Sequence, residues 1–300
     1  MDQMKNHQLR FYSQHGEDYL LWGFFKQKSQ GLYIDVGAFD GRYLSNTYSF
    51  YKAGWKGICV DANPEYFEFC TKYRQNDILI NAVCSGTENT KVDFLCDPTG
   101  LYSSKISSPE KLDEIKARLE KNNIPNKNIT SKAIPSITLD TILTKNLAPE
   151  AKIDFISIDV EGAELEVLKG FNIEKWHPSV IIIEANDDDL QKATLEYLDT
   201  KKYILARKLG VNLIFTQGKE NALKLRNLPI RCAIEKVMHP KGADFTFPQY
   251  LEGHIIDTLK DKKNILLANH NKKLIRGNNN LKQRVEELNK IIKRLRTESI

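Results

Sequence analysis

Residues 33–41 read YIDVGAFDG and residues 153–170 read IDFISIDVEGAELEVLKG. Each begins as an apolar run, meets an acid and breaks at glycine. Short continuous apolar runs bounded this way suit strands buried on both faces of a parallel sheet. The same pattern recurs in LYIDVG (32–37), KGICVDA (56–62), ILINAVC (78–84), IDFISIDV (153–160) and SVIIIEA (179–185). Amphipathic stretches at 45–53, 64–75, 136–146, 161–170 and 187–200 predict helices between them. The alternation predicts an α/β, doubly wound, mostly parallel sheet. YILARKL (203–209) and NLIFTQ (212–217), separated by Gly210 and Val211, predict an antiparallel hairpin at its end.

Ligands of open α/β sheets bind outside the carboxyl ends of the strands. Gly37 and Gly41 let the chain turn and a ligand approach, with Asp35 and Asp40 beside them. A bare left-handed turn is the alternative reading. Asp61 follows Gly41 by 20 residues, the separation at which an acid ending a second strand reaches a ribose diol, and DANPE also suits a helix cap. A nicotinamide dinucleotide calls for a GxGxxG turn free of acids, whereas GAFDG has two glycines and contains Asp40. An acid there repels pyrophosphate and attracts an α-ammonium group, which points to S-adenosylmethionine.

SQHGED (13–18), YIDVGAFDG (33–41), SNT (45–47), GWKGICVDANP (54–64), NAVCS (81–85), ITLDTIL (137–143) and IDFISIDVEGAELEVLKG (153–170) occur in this order and spacing. From about Tyr12 to Phe215 the chain thereby resembles the FkbM family of S-adenosylmethionine-dependent methyltransferases. The resemblance implies a class I methyltransferase (Rossmann-like) sheet of five parallel strands plus the terminal hairpin. It also implies O-methylation of a hydroxyl on a carbohydrate or glycoconjugate. A nicotinamide-dependent oxidoreductase and a non-catalytic methyltransferase-like scaffold are the alternatives.

Within such a cleft Asp159, at a strand end, is expected to face the methionine amino group. Glu161, expected in the first turn of the next helix, is the first candidate base for the acceptor hydroxyl, and His15 is the second. The two acids also read as an N-capping acid, Asp159, and a solvated first-turn acid, Glu161. Cofactor contacts are expected from Asp35, Gly37, Asp40, Gly41, Asp61 and Ala62, with Asn81 and Ala82 opening the adenine wall. Gln14, Glu17 and Asp18 join the pocket by resemblance only. Tyr102 in GLYSS (100–104) is placed to stack on a sugar ring. The acids Asp159, Glu184 and Asp187 at the ends of the fourth and fifth strands make Mg²⁺ the alternative means of activating the hydroxyl.

The reading divides the chain into a methyltransferase domain over 1–217 with a polar insertion at 97–135, an irregular linker and helical extension over 218–263, and a basic coiled-coil-like helix over 264–300. The net charge is +5, but residues 260–300 carry +8 and the remainder −3. A uniformly basic nucleic-acid surface is therefore not expected. Leu274, Leu281, Val285, Leu288, Ile292 and Leu295 follow a heptad with Val285 and Ile292 at a, the leucines at d and Asn278 at another a. That pattern predicts a parallel homodimer or higher oligomer. Peripheral contact with an anionic membrane is the alternative, disfavoured because residues 251–300 contain no Phe, Tyr or Trp. Cys59, Cys70, Cys84, Cys96 and Cys232, an odd set without CxxC, read as reduced thiols. With no apolar leader at the amino end, a cytoplasmic location is expected.

Overall fold

The computed structural model describes residues 9–88, 90–105, 109–121, 129–230, 234–235 and 237–241. The elements run α1 (Glu17–Phe24), β1 (Leu32–Val36), α2 (Tyr48–Lys52), β2 (Lys56–Asp61), α3 (Pro64–Tyr73), β3 (Ile78–Asn81), β4 (Val83–Cys84), β5 (Thr90–Cys96), β6 (Ser104–Lys105), α4 (Pro109–Lys121), β7 (Thr130–Ile137), α5 (Leu139–Asn146), β8 (Phe155–Ile158), α6 (Glu164–Lys169), α7 (Ile173–Trp176), β9 (Val180–Glu184), α8 (Asp188–Thr200), β10 (Tyr203–Leu209), β11 (Asn212–Gln217) and α9 (Lys219–Asn227). Seven strands form one sheet in the order β10-β11-β9-β8-β1-β2-β3. All are parallel except β11, which pairs antiparallel with both β9 and β10. The chain thus folds as the expected doubly wound α/β sheet with the class I methyltransferase strand order.

Period-two alternation sorts the strand residues between two cores. Ile34, Val36, Ile156, Ile158, Ile181 and Ile183 pack on one face with Leu139 and Leu143 of α5, Val167 of α6 and Leu198 of α8. Tyr33, Phe155, Val180 and Ile182 pack on the other with Leu20 and Leu21 of α1, Phe50 of α2 and Leu225 of α9. Asp35, Asp61, Ser157 and Glu184 share the parity of this second face, so the polar residues of four strands gather at one end of it.

Three sequence expectations are corrected. The run 78–84 is two strands, because the chain leaves the main sheet at Ala82 and β4 joins a second sheet, β4-β7-β5-β6. The polar insertion is therefore a small β-structure plus α4, with its own core of Leu95, Ile115 and Leu119. Pro135 hides β7 from a sequence reading, yet it lies just outside the two residues that pair with β4, where a missing N–H is tolerated. Finally, the fold does not stop at 217. Helix α9 packs on β10 and β11, and Arg207 Nη1 donates to the Leu225 and Leu228 carbonyls at 3.2 and 2.6 Å. Beyond it, Ile234 bridges to Phe11. Four of the five cysteines are buried free thiols. Among the described residues, no helix is long and apolar enough to cross a membrane. Cys232 and the heptad stretch lie outside the described residues.

Candidate active site

The turn after β1 is bound to both neighbouring strands. Gly37 and Ala38 donate their N–H groups to the Val60 carbonyl at 2.9 and 3.0 Å, and the Asp159 N–H donates to Val36. Gly37 has φ +88°, and any Cβ there would overlap the Asp159 carbonyl, so the close approach of the two strand ends requires glycine. Phe39 also lies in the left-handed region, at φ +53°. Its N–H donates to Asp61 Oδ2 at 2.7 Å, while Asp61 Oδ1 accepts from Asn63 N–H at 2.8 Å. Asp61 therefore holds two loops together and still faces the cavity; the cap of α3 is Asn63, whose side chain accepts from Glu65 N–H. Burial pushes the Asp61 carboxyl up to about 7.

Two adjoining cavities share Gly37, Phe39, Leu101 and Asp159. The first is an apolar slot beside Asp61, walled by Ala62, Ala82, Val83, Cys84, Phe94 and Leu101. The second is polar and is lined by Gln14, Asp35, Asn46, Ser157, Asp159 and Asn212. The segment before α1 thus lies over the strand ends and places Gln14 in the polar cavity. Glu161 lines the slot and not the polar half.

Several expected residues play other parts. Asp40 is fully buried and accepts from the Arg42 and Tyr43 N–H groups at 2.8 and 2.6 Å, so it braces the turn and does not line either cavity. The aspartates that line the cavities are Asp35, Asp61 and Asp159, so the repulsion of a pyrophosphate expected of Asp40 is not supplied by that residue. Gly41, at φ +77°, closes the turn against Cys70 and Arg74. Asp35 accepts from Thr47 Oγ1 at 2.5 Å and lies 3.8 Å from the buried Arg74 guanidinium, which also bonds Tyr33, Ser45, Thr47 and the Gly41 carbonyl. Asn81 donates to the Asp61 carbonyl at 2.8 Å and lines neither cavity. Glu17 is buried between Asn212 Nδ2 and the His15 N–H, and Asp18 staples Tyr12, Ser13 and Ser49, so both anchor the amino-terminal segment. The His15 ring abuts Gly210 in the β10–β11 turn and is not among the lining residues. Tyr102 packs with Leu95, Ile115 and Leu119 and leaves the cavity wall to Leu101 and Ser103.

The helix expected at 161–170 begins only at Glu164. Glu161 and Gly162 have φ of +55° and +99°, which halts the helix and leaves Glu161 on a loop at the cavity edge. The buried Glu164 Oε1 accepts from Val160 and Gly162 N–H at 3.1 and 3.0 Å and so fixes that loop. The half-buried Glu161 carboxylate is 3.4 Å from Arg118 of α4. Asp187 caps α8, accepting from Leu190 N–H, while Glu164 takes its place beside Asp159 and Glu184, the three carboxylates lying within 4.8 Å of one another. Solvent reaches Asp159 through the cavity, yet its burial among protein atoms and then Glu184 hold its carboxyl well above the usual range. Glu184, pushed up by burial and then by Glu161, reaches about 8. Burial of these acids together favours the protonated forms, since charge on one raises the cost of charge on the next.

Asn46, Ser157 and Asn212 escaped the sequence reading. The signal for Ser157 is a lone polar residue inside FISI, directly opposite Asp35 in the register, and for Asn46 its place in SNT. Asn46 Nδ2 donates to Ser157 Oγ at 3.0 Å. Asn212 had no local signal, since its role depends on β11 lying beside β9.

The family described as Methyltransferase FkbM domain matches residues 35–210. No curated protein matches the chain. Among solved structures it is similar to precorrin-6y C5,15-methyltransferase from Geobacter metallireducens GS-15, with 13% identity, 67% of this chain and 87% of that one covered, and a TM-score of 0.35. Precorrin 8w decarboxylase from Methanobacterium thermoautotrophicum gives 16% identity, 72% and 96% coverage, and a TM-score of 0.36. Likenesses this distant carry no argument about the reaction.

Proposed function

Since the chain belongs to the FkbM methyltransferase family, we propose that it transfers the methyl group of S-adenosylmethionine to a hydroxyl of a carbohydrate or glycoconjugate. The observation that carries this reading is one cleft divided into an apolar slot beside Asp61 and a polar half around Asp159. The donor set fits the cofactor. Asp61 oxygens each accept one backbone N–H and retain acceptor capacity for a ribose diol. Ala62, Ala82, Val83, Phe94 and Leu101 offer an apolar slot for adenine. Asp35 and Asp159 suit an ammonium group, and the amides of Gln14 and Asn46 suit a carboxylate.

When bound, S-adenosylmethionine supplies an electrophilic methyl group on an excellent leaving group. The protein's remaining tasks are alignment and removal of the hydroxyl proton. Proximity contributes on the order of 7–11 kcal/mol in well-oriented reactions, and the rigid β1 and β8 ends supply that orientation. Glu161, at the cavity edge, takes the proton, and the neighbouring Arg118 orients its carboxylate.

S-adenosylmethionine at a hundredfold excess over its dissociation constant is expected to stabilise the chain by about 2.7 kcal/mol, whereas NAD leaves its melting unchanged. Incubation with labelled S-adenosylmethionine and a panel of deoxy- and amino-sugar glycans tests the acceptor class. Stabilisation by NAD alone would sink the reading, and labelling of a protein or nucleic acid but no glycan would displace the acceptor.

The heptad at 274–295 supports a second proposal, self-association through the carboxyl-terminal segment. A chain lacking 271–300 is expected to bind S-adenosylmethionine and to sediment as a smaller species than the full chain. Identical monomeric sedimentation of both at tens of micromolar excludes the coiled coil, and binding of the full chain alone to anionic vesicles supports the membrane alternative.

A further inference from the structure

Resting on the S-adenosylmethionine reading above, we infer that Val237–Lys241, beyond the family-matched residues, is a strap whose His239 positions the outer wall of the cofactor cleft. The wall consists of Phe39 from the turn after β1 and of Gly100, Leu101 and Ser103 from the loop after β5. Each part has its own constraint. Phe39 is a left-handed non-glycine residue stacked on Tyr66 at 4.2 Å between ring centroids. The loop is tied to Asp97, which accepts from the Thr99, Gly100 and Tyr102 N–H groups and from Ser103 Oγ.

The strap joins these two parts. The His239 ring, 2% exposed, lies 5.5 Å from Phe39, 5.5 Å from Tyr43 and 5.6 Å from Tyr66. Its Nε2 is 2.7 Å from the Thr99 carbonyl, and its Nδ1 accepts from the Lys241 N–H at 3.2 Å. Lys241 Nζ binds the Pro98 carbonyl at 3.1 Å and Glu65 at 2.9 Å, and lies over the Tyr66 ring. One imidazole and one ammonium thus fasten the loop after β5 to α3 and to the turn after β1.

Both contacts of the ring are satisfied only by the neutral tautomer that carries its proton on Nε2. A second proton would put Nδ1–H against the Lys241 N–H and break the strap. The groups facing the ring are Asp97 and the Thr99 carbonyl from the loop, Tyr43 from the turn, Tyr66 from α3, and Lys241 from the strap itself, whose ammonium group pairs with Glu65. Burial is the largest influence and lowers the proton affinity of His239 from its ordinary value. The strap is therefore closed at neutral pH and loosens as acid protonates it.

The test uses the full chain, with S-adenosylhomocysteine binding followed by calorimetry and melting measured separately. His239→Gln keeps a donor for Thr99 and does not titrate; His239→Phe keeps the ring and loses both polar contacts. At about pH 7.5, His239→Gln is expected to bind within about threefold of the native chain, and His239→Phe about tenfold more weakly, the size of one lost hydrogen bond. Asp61 also titrates, so the readout is the ratio of native to His239→Gln affinity at each pH. That ratio is expected to hold down to the ordinary imidazole value of about 6.5 and to fall severalfold only at lower pH, because burial lowers the proton affinity of His239. Native-like affinity of His239→Phe, or lowered melting with unchanged affinity, overturns the inference, as does a ratio independent of pH. Should His239→Phe fail to fold, the pH dependence of the His239→Gln ratio decides. A native chain that binds no S-adenosylhomocysteine defeats the functional reading and this inference together, whereas native binding with unaffected variants defeats the strap alone.

Discussion

Glu161→Gln is expected to bind S-adenosylhomocysteine with native affinity and to lose methyl transfer by about 10²–10⁴-fold, the usual contribution of a positioned base. The amide keeps the shape of the side chain and can still accept a hydrogen bond from Arg118, but it takes no proton at neutral pH. Glu161 lies outside the hydrophobic clusters and its loop is held by Glu164, so the substitution is expected to leave folding intact. Single-turnover rates with labelled cofactor measure the effect. Full activity would move the base elsewhere. His15 would then be tested, although its ring packs on the Gly210 turn. Chelation followed by Mg²⁺ add-back addresses the cluster of Asp159, Glu164 and Glu184 separately, because loss and recovery of activity there would assign the hydroxyl's activation to a metal.

Asp61→Ala is expected to weaken cofactor binding by about 1.5–3 kcal/mol, or roughly 10- to 100-fold, because a charged acceptor for the ribose hydroxyls is removed. The same change releases the Phe39 and Asn63 N–H groups, so Asp61→Asn, which keeps one acceptor oxygen, is the milder control. The native pH dependence has two opposite signs. Burial raises the folded-state affinity of Asp61 for its proton to about pH 7. The stability it contributes is present below the ordinary carboxylate range and is lost as pH rises toward about 7. Cofactor affinity moves the other way, increasing as pH rises through about 7 and the carboxylate forms. Calorimetric titration across this range, with Asp61→Asn expected to lack the Asp61 step, reads both. Unchanged affinity in Asp61→Ala would remove this residue from the cofactor site.

Strand type and order of function-bearing loops were legible because a buried parallel sheet imposes a local signature. Runs such as FISI and VIII can be little else in an α/β chain, and each ends where the ligand cleft must open. Gly37 was legible as the glycine that ends an apolar run and permits a positive φ, but the clash that forbids a Cβ there comes from the Asp159 carbonyl of a distant strand end. The inserted β-structure was not, because β5 and β7 are half-exposed strands whose partners lie some 40 residues apart and whose pattern is interrupted by Pro135.

An acid's presence at a strand end was determined by the sequence; the direction in which it points was decided by the tertiary structure. Asp40, in the turn after β1, is directed inward to two backbone N–H groups, while Asp61, the last residue of β2, borders the cleft. Asp187 satisfies the amino end of α8 with its own side chain, and Glu164, from the following turn of another segment, stands with Asp159 instead. His239 lies 140 residues from the Thr99 carbonyl it binds. Local patterning determined the sheet, its helices and the position of the cleft, because hydrophobic periodicity acts within a few residues. Hydrogen-bond satisfaction of buried polar groups decided which acids border the cleft and which brace the fold, because it is settled only when distant segments pack together.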